Sequence, residues 1–241
     1  MAGNIWYEGV GNFALNLPDV RAGARIGLLG GSFDPAHEGH VAISLRAIRQ
    51  ARLDWVWWMV ARQNPLKDAP SDSLPERLAQ ARRLTGHPLR HIWVSDVETR
   101  LGTRYTVDTI RTLRQKYPQV RFVVLMGSDS LVELSLWHNW RVLIHLLPLL
   151  VVQRENHAVI STSYQVKGIL RGRILSPEHA YRLMEIPAPA ACVLSGSKLP
   201  ISSTKLRSRY LSLQGGSKLL SNSCSISFRR NLFSTSSNSS V

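Results

Sequence analysis

Residues 30–40 read GGSFDPAHEGH, with two histidines three positions apart among glycines and a proline. Imidazoles at i and i+3 share one face of a helix's first turn, and Gly39 leaves that face open. A helix N-terminus favours anions through its free N–H groups and its dipole. His37 and His40 placed there can donate to phosphate oxygens and stabilise negative charge that develops in a transition state. Gly30 and Gly31 remove side chains where the backbone must approach a ligand or take a positive φ, and Pro35 stiffens the turn. The plainer reading of H-x-x-H alone is a capped turn with two surface histidines. A zinc site needs a third ligand, and no spacing here supplies one.

That stretch has to be held between two regular elements. An apolar run, Ile26-Gly27-Leu28-Leu29, precedes it and a helical pattern, Val41/Leu45/Ile48, follows it. Short apolar runs recur at 25–29, 55–61, 91–94, 121–126 and 147–153, each suited to a strand buried on both faces. Helical patterns separate them, one behind the capping-box spacing Ser73-x-x-Glu76 and one through Val107/Ile110/Leu113. The alternation predicts an α/β fold with a doubly wound, mainly parallel sheet, followed by a C-terminal helical portion. Ligands of such sheets sit at the carboxyl ends of the strands, where the quoted loop falls. No internal repeat is present.

Composition limits the rest. A chain of 241 residues with 44% apolar content can bury a full core. Its net charge of +14 raises nucleic acid as a partner, but residues 186–241 carry seven Lys/Arg and no acid, so half of the excess sits in a short C-terminal part. From about residue 211 the chain is Ser/Asn-rich without an apolar period, which predicts disorder. The domain reading is an N-terminal extension over 1–20, a catalytic domain over 21–210 and a tail over 211–241. Two cysteines without C-x-x-C spacing suit a reducing cytoplasm. Acidic Glu8 and Asp19 near the start, with no long apolar run behind a basic head, read against a secretory signal. The most apolar window, 142–152, is shorter than the roughly 20 residues a bilayer needs and contains His145 and Pro148. No membrane partner is expected.

The whole of residues 30–40 resembles the G-G-S/T-F-D-P-x-H-x-G-H signature of the H-x-G-H nucleotidyltransferases, with every fixed position present. Four further segments, in order, resemble those of bacterial nicotinate-nucleotide adenylyltransferases. Residues 102–110, GTRYTVDTI, are similar to an S-Y-T-x-x-T-L segment, and 126–131, MGSDSL, to G-x-D-S-L after a central strand. Trp137 matches an aromatic that follows it, and 201–209, ISSTKLRSR, resembles I-S-S/T-T-x-I/L-R. The resemblance runs from about Ile26 to Tyr210. One departure stands out: where many members read N-x-x-P-P-H-K/R, this chain has Asn64-Pro65-Leu66-Lys67.

The resemblance implies transfer of the adenylyl group of ATP to nicotinate mononucleotide. Its catalytic residues would be His37, His40 and Arg207. ATP would be bound by Gly30, Gly31, Ser32, Phe33, Gly39, Gly127, Asp129, Ile201, Ser202, Ser203 and Thr204. Nicotinate mononucleotide would meet Asp34, Lys67, Tyr105, Thr106 and Trp137, and Mg²⁺ would arrive with ATP. Each segment has physical sense. Asp129 at a strand end can accept from ribose hydroxyls, hydroxyls at a helix start with an Arg one turn in make a phosphate clamp, and Trp137 can stack on a pyridinium. The plain alternatives are helix capping through Ser130-x-x-Glu133, N-capping by Ser202–Thr204, and core packing of Trp137. A homo-oligomer is compatible with all of this. The rivals are a pantetheine-phosphate adenylyltransferase or a cytidylyltransferase, which would share the first loop, and a basic nucleic-acid-binding protein using residues 186–241.

Overall fold

The computed structural model describes residues 15–63, 70–86, 89–153, 164–170 and 172–195. Runs dense in β-branched and aromatic side chains form strands that need cover on both faces. The chain supplies it by alternation: β1 (Arg25–Gly31), α1 (Glu38–Ala51), β2 (Trp55–Val60), α2 (Leu74–Leu84), β3 (Ile92–Ser95), α3 (Val97–Leu101), α4 (Thr106–Lys116), β4 (Arg121–Gly127), α5 (Ser128–Glu133), α6 (Trp140–Leu146), β5 (Leu149–Val152), α7 (Tyr164–Leu170), β6 (Ile174–Leu175) and β7 (Ala191–Leu194). Single 3₁₀ segments run over Leu134–Leu136 and Pro177–Glu185. The seven strands pair in parallel in the order β3-β2-β1-β4-β5-β7-β6. No described helix is long and apolar enough to cross a membrane.

The period of two sorts each strand between two cores. Ile26, Leu28, Trp57, Val124 and Met126 face one side with Ile110 and Leu113 of α4 and Leu143 of α6. Leu29, Val56, Trp58, Val123 and Leu125 face the other with Ile43 and Ala47 of α1, Leu78 of α2 and Leu183. Each such side chain taken fully from water contributes about 1.5–3 kcal/mol, set against the entropy of ordering it. Packing is close where β1 crosses the segment after α1: a Cβ on Gly27 would lie 2.8 Å from Leu53 Cδ1.

Local signals fix the helix ends. The N–H and hydroxyl of Ser73 both donate to the Glu76 carboxylate at the start of α2, as the capping-box spacing predicts. α3 stops at Gly102, whose φ of 66° suits glycine at a helix C-terminus. Two expectations change. The last part of the stretch read as an extension is built into the core: Leu15, Leu17 and Val20 are buried, and the Asn16 carbonyl accepts from Trp93 Nε1 at 2.8 Å. A two-strand addition, β6 and β7, also extends the sheet beyond the five strands predicted.

Glu98 in α3 is an acid in an apolar setting, and burial pushes its carboxyl up from 4.5 to about 7. A folded-state value above the unfolded one means that stability is greatest below pH 4.5, where both states hold the proton, and falls as pH rises through about 7. Replacing Glu98 by Gln should therefore leave the acid limb little changed and raise stability above pH 7 by at most about 3 kcal/mol. Melting temperatures of both proteins across pH 4–9 read this directly. Parallel curves would contradict it.

Candidate active site

The strand order reverses between β1 and β4, so the crevice outside their carboxyl ends is the place where an open sheet of this kind receives a ligand. The loop after β1 leads there into α1, and β4 leads into α5. His37 is the N-cap of α1 and His40 its third residue. Their rings replace the usual capping side chains: the Gly39 N–H donates to His37 Nδ1 at 3.1 Å, and the His37 N–H donates to His40 Nδ1 at 3.2 Å. A backbone N–H can only donate, so both Nδ1 atoms accept, and each neutral ring carries its proton on Nε2. The two rings stack with centroids 3.9 Å apart. The pair thus sets two N–H groups at a helix N-terminus, where phosphate oxygens bind, with that of His37 buried.

The loop before it is held from below. Phe33 has a φ of 47°, a left-handed backbone that a bulky residue adopts only under constraint. Its ring is 1% exposed and lies 4.7 Å from His40 and 4.9 Å from Trp58, centroid to centroid. Trp58 Nε1–H donates to Ser44 Oγ at 2.8 Å, and Ser44 Oγ–H donates to the His40 carbonyl at 2.8 Å. A side chain of β2 thereby anchors the first turn of α1. Gly30 and Gly31 do not have positive φ, and a Cβ on either would make only ordinary contacts, 3.7 Å to Met59 and 3.4 Å to Phe33. The protein's own packing does not require glycine at these positions.

The other sequence-predicted residues fall in three places. Tyr105 caps α4, Thr106 is its first residue, and the Tyr105 ring stacks on His138 at 4.0 Å, which brings the head of α4 beside the turn that carries the half-buried Trp137. Gly127 ends β4 and caps α5, and Asp129 is exposed in that helix's first turn. Because α5 already starts at Ser128, Ser130 lies inside it and is not its cap. Asp34 is 2% exposed and accepts from the Ser71 N–H at 2.9 Å. Lys67, Ile201, Ser202, Ser203, Thr204 and Arg207 lie outside the described residues.

Among the described residues no three His, Cys, Asp or Glu side chains cluster as a metal site. The donor chemistry agrees with phosphate rather than metal at the histidines, whose Nδ1 lone pairs are taken by backbone N–H groups. A Mg²⁺ that arrives with ATP fits such a cleft through phosphate oxygens and water, its ordinary ligands. Cys192 offers no nucleophile: it is buried, and burial pushes its thiol up to about 11.

A family model described as Cytidylyltransferase-like matches residues 28–209. A Cereibacter sphaeroides protein named "Probable nicotinate-nucleotide adenylyltransferase" is 45% identical over 183 residues, 76% of this chain and 96% of that protein. One of the same name from Parvibaculum lavamentivorans is 43% identical over 188 residues, 78% of this chain and 92% of that protein. The chain belongs to the nicotinate-nucleotide adenylyltransferase family. A Plasmodium falciparum nicotinic acid mononucleotide adenylyltransferase solved with NaAD shares the fold, with a TM-score of 0.57 and 18% identity over 77% of this chain and 83% of that one.

In this member of the nicotinate-nucleotide adenylyltransferase family, three supports of the loop were not singled out by sequence reasoning. Trp58 lies in the run WVWWMV, which reads only as a buried strand. Ser44 reads as an ordinary helical residue until Trp58 is placed beside it. Arg77 carried a signal: it interrupts the apolar stripe Leu74, Leu78, Ala81 of α2 and is nevertheless buried.

Proposed function

We infer that the chain transfers the adenylyl group of ATP to nicotinate mononucleotide, giving nicotinate adenine dinucleotide and pyrophosphate, a step of NAD biosynthesis. The observation that carries this reading is the His37–His40 pair, two Nε2–H groups fixed at the head of α1, in a chain that is 45% identical to a named member of the family over 96% of that member's length.

The 5′-phosphate oxygen of nicotinate mononucleotide attacks the α-phosphorus of ATP as the bond to the bridging oxygen breaks and pyrophosphate leaves. No protein nucleophile is needed, so the chain's task is to hold two polyanions in line and stabilise charge on the transferring group. His37 and His40 are assigned to that charge, with Arg207. Gly30, Gly31, Ser32, Phe33 and Gly39 line the nucleotide cleft, where the three glycines, without a Cβ, let a ligand approach the backbone. Gly127 and Asp129 are assigned to the ribose, and Ile201, Ser202, Ser203 and Thr204 to phosphate. Mg²⁺ supplies neutralisation of the triphosphate when bound with ATP. Residues 21–210, with 15–20 packed into the same core, form the catalytic domain in this reading, and its setting is the cytoplasm.

Tyr105, Thr106 and Trp137, with Lys67 and the loop around Asp34, are assigned to nicotinate mononucleotide. The head of α4 offers N–H groups and the Thr106 hydroxyl, which suit a carboxylate, whereas an amide would aim N–H at N–H at a cost of about 1–3 kcal/mol. With Mg·ATP and a panel of phosphate acceptors, pyrophosphate release should be fastest with nicotinate mononucleotide. Its kcat/KM should exceed that of nicotinamide mononucleotide by at least about tenfold, and Trp137→Ala should weaken both. Equal use of the two rejects the role of Thr106, and preference for phosphopantetheine rejects the reaction.

A further inference from the structure

Arg77 is 1% exposed in the body of α2, and no carboxylate lies within ion-pair distance of it among the described residues. Burial disfavours the charge, Asp34 and Asp72 favour it only from beyond pairing distance, and a leucine would complete the helix's apolar stripe. The guanidinium instead donates to four backbone carbonyls. Nη1 reaches Ser32 O at 2.6 Å and Ala61 O at 2.7 Å, Nη2 reaches Arg62 O at 3.0 Å, and Nε reaches Asp72 O at 3.1 Å. These acceptors belong to three segments: the loop from β1 to the histidine helix, the exit of β2, and the approach to α2. Two further links tie the same segments together, Ala61 N–H to Gly31 O at 2.9 Å and Ser71 N–H to Asp34 Oδ2 at 2.9 Å.

Carbonyls at strand exits have left the ladder and need donors if they are buried. Water or scattered hydroxyls could satisfy them one at a time. A single planar fork with fixed donor directions satisfies them together only at one spacing of the loops. We propose that Arg77 is a positioning residue for adenylyl transfer: it sets the separation of the loops after β1 and β2 before substrate binds, and so fixes where Ser32, Phe33 and the two histidines meet the triphosphate. The proposal rests on the reading of that loop as the nucleotide cleft. Arg77 touches no substrate in this account.

Lysine keeps the charge but has no fork, and glutamine has neither. In Arg77→Lys and Arg77→Gln, assayed well below their melting temperatures, kcat per folded molecule should fall on the order of 100-fold, as misplacement by about an ångström does elsewhere, with Lys no better than partly restored. A merely structural role moves the melting temperature and leaves turnover per folded molecule at the wild-type value, which would overturn the proposal. If neither variant folds, amide hydrogen exchange on the wild-type chain decides. Residues 31–34 and 60–62 should already be protected without ATP, whereas protection that appears only with ATP would show that nothing is preset. Absence of turnover in the wild-type chain would reject the reaction itself, and the exchange result, which needs no turnover, would still decide the role of Arg77.

Discussion

His40→Ala should lower kcat on the order of 10²- to 10³-fold and leave ATP binding within a few-fold, because the Nε2–H donor is of most use to charge that appears during transfer. The ring has a second task that has to be separated from this one. Its Nδ1 accepts from the His37 N–H, and losing a cap of that kind costs about 1 kcal/mol of stability. His40→Asn separates the two, since the amide oxygen can take over the Nδ1 bond while nothing replaces Nε2. The expected result is an asparagine variant with near wild-type melting and the same loss of turnover as the alanine variant. Steady-state rates beside a thermal melt provide both numbers, and wild-type turnover in the asparagine variant would reduce His40 to a helix cap.

Trp58→Ala should destabilise the fold by about 3–5 kcal/mol, the usual cost of emptying a large aromatic site, and should lower turnover in the molecules that remain folded. The stability loss follows from complete burial: the side chain is 0% exposed in the core shared by α1, α2 and the loop. The activity loss follows from position. Phe33 keeps its left-handed backbone against the Trp58 ring, and Ser44 loses the donor that anchors the His40 turn. Trp58→Phe restores a ring for Phe33 without the N–H, so it should cost less than the alanine variant, about 1–3 kcal/mol, and recover only the part of the turnover that rests on Phe33. Denaturant unfolding with activity measured on the same samples tests both variants. An alanine variant that is less stable yet fully active when folded would place Trp58 outside the machinery of the loop.

The legible parts of the fold were those decided locally. β1 to β5 announce themselves because strands covered on both faces need continuous apolar runs. β6 and β7 do not: one has two residues, the other four, and both are strands only because neighbours offer hydrogen bonds. Residues 15–20 looked like an extension because Leu15, Leu17 and Val20 become a core only when β3 and its Trp93 lie beside them. The same division holds at the site. His37 and His40 could be found in one short string, since a helix start is a local event. Trp58 reaches Ser44 across 14 positions and Arg77 reaches Ser32 across 45, distances that periodicity does not span. The glycine pair was half legible: its lack of side chains matters to a ligand, while the left-handed backbone of the loop falls on Phe33.

The most direct measurement follows the α-phosphate of ATP. The chain is incubated with Mg²⁺, ATP labelled at the α-phosphorus and nicotinate mononucleotide. The label should appear in a product with the mass of nicotinate adenine dinucleotide, one pyrophosphate should form for each dinucleotide, and neither should form without the acceptor. Label that remains in ATP, becomes bound to the protein, or passes only to another phosphate acceptor would contradict the account.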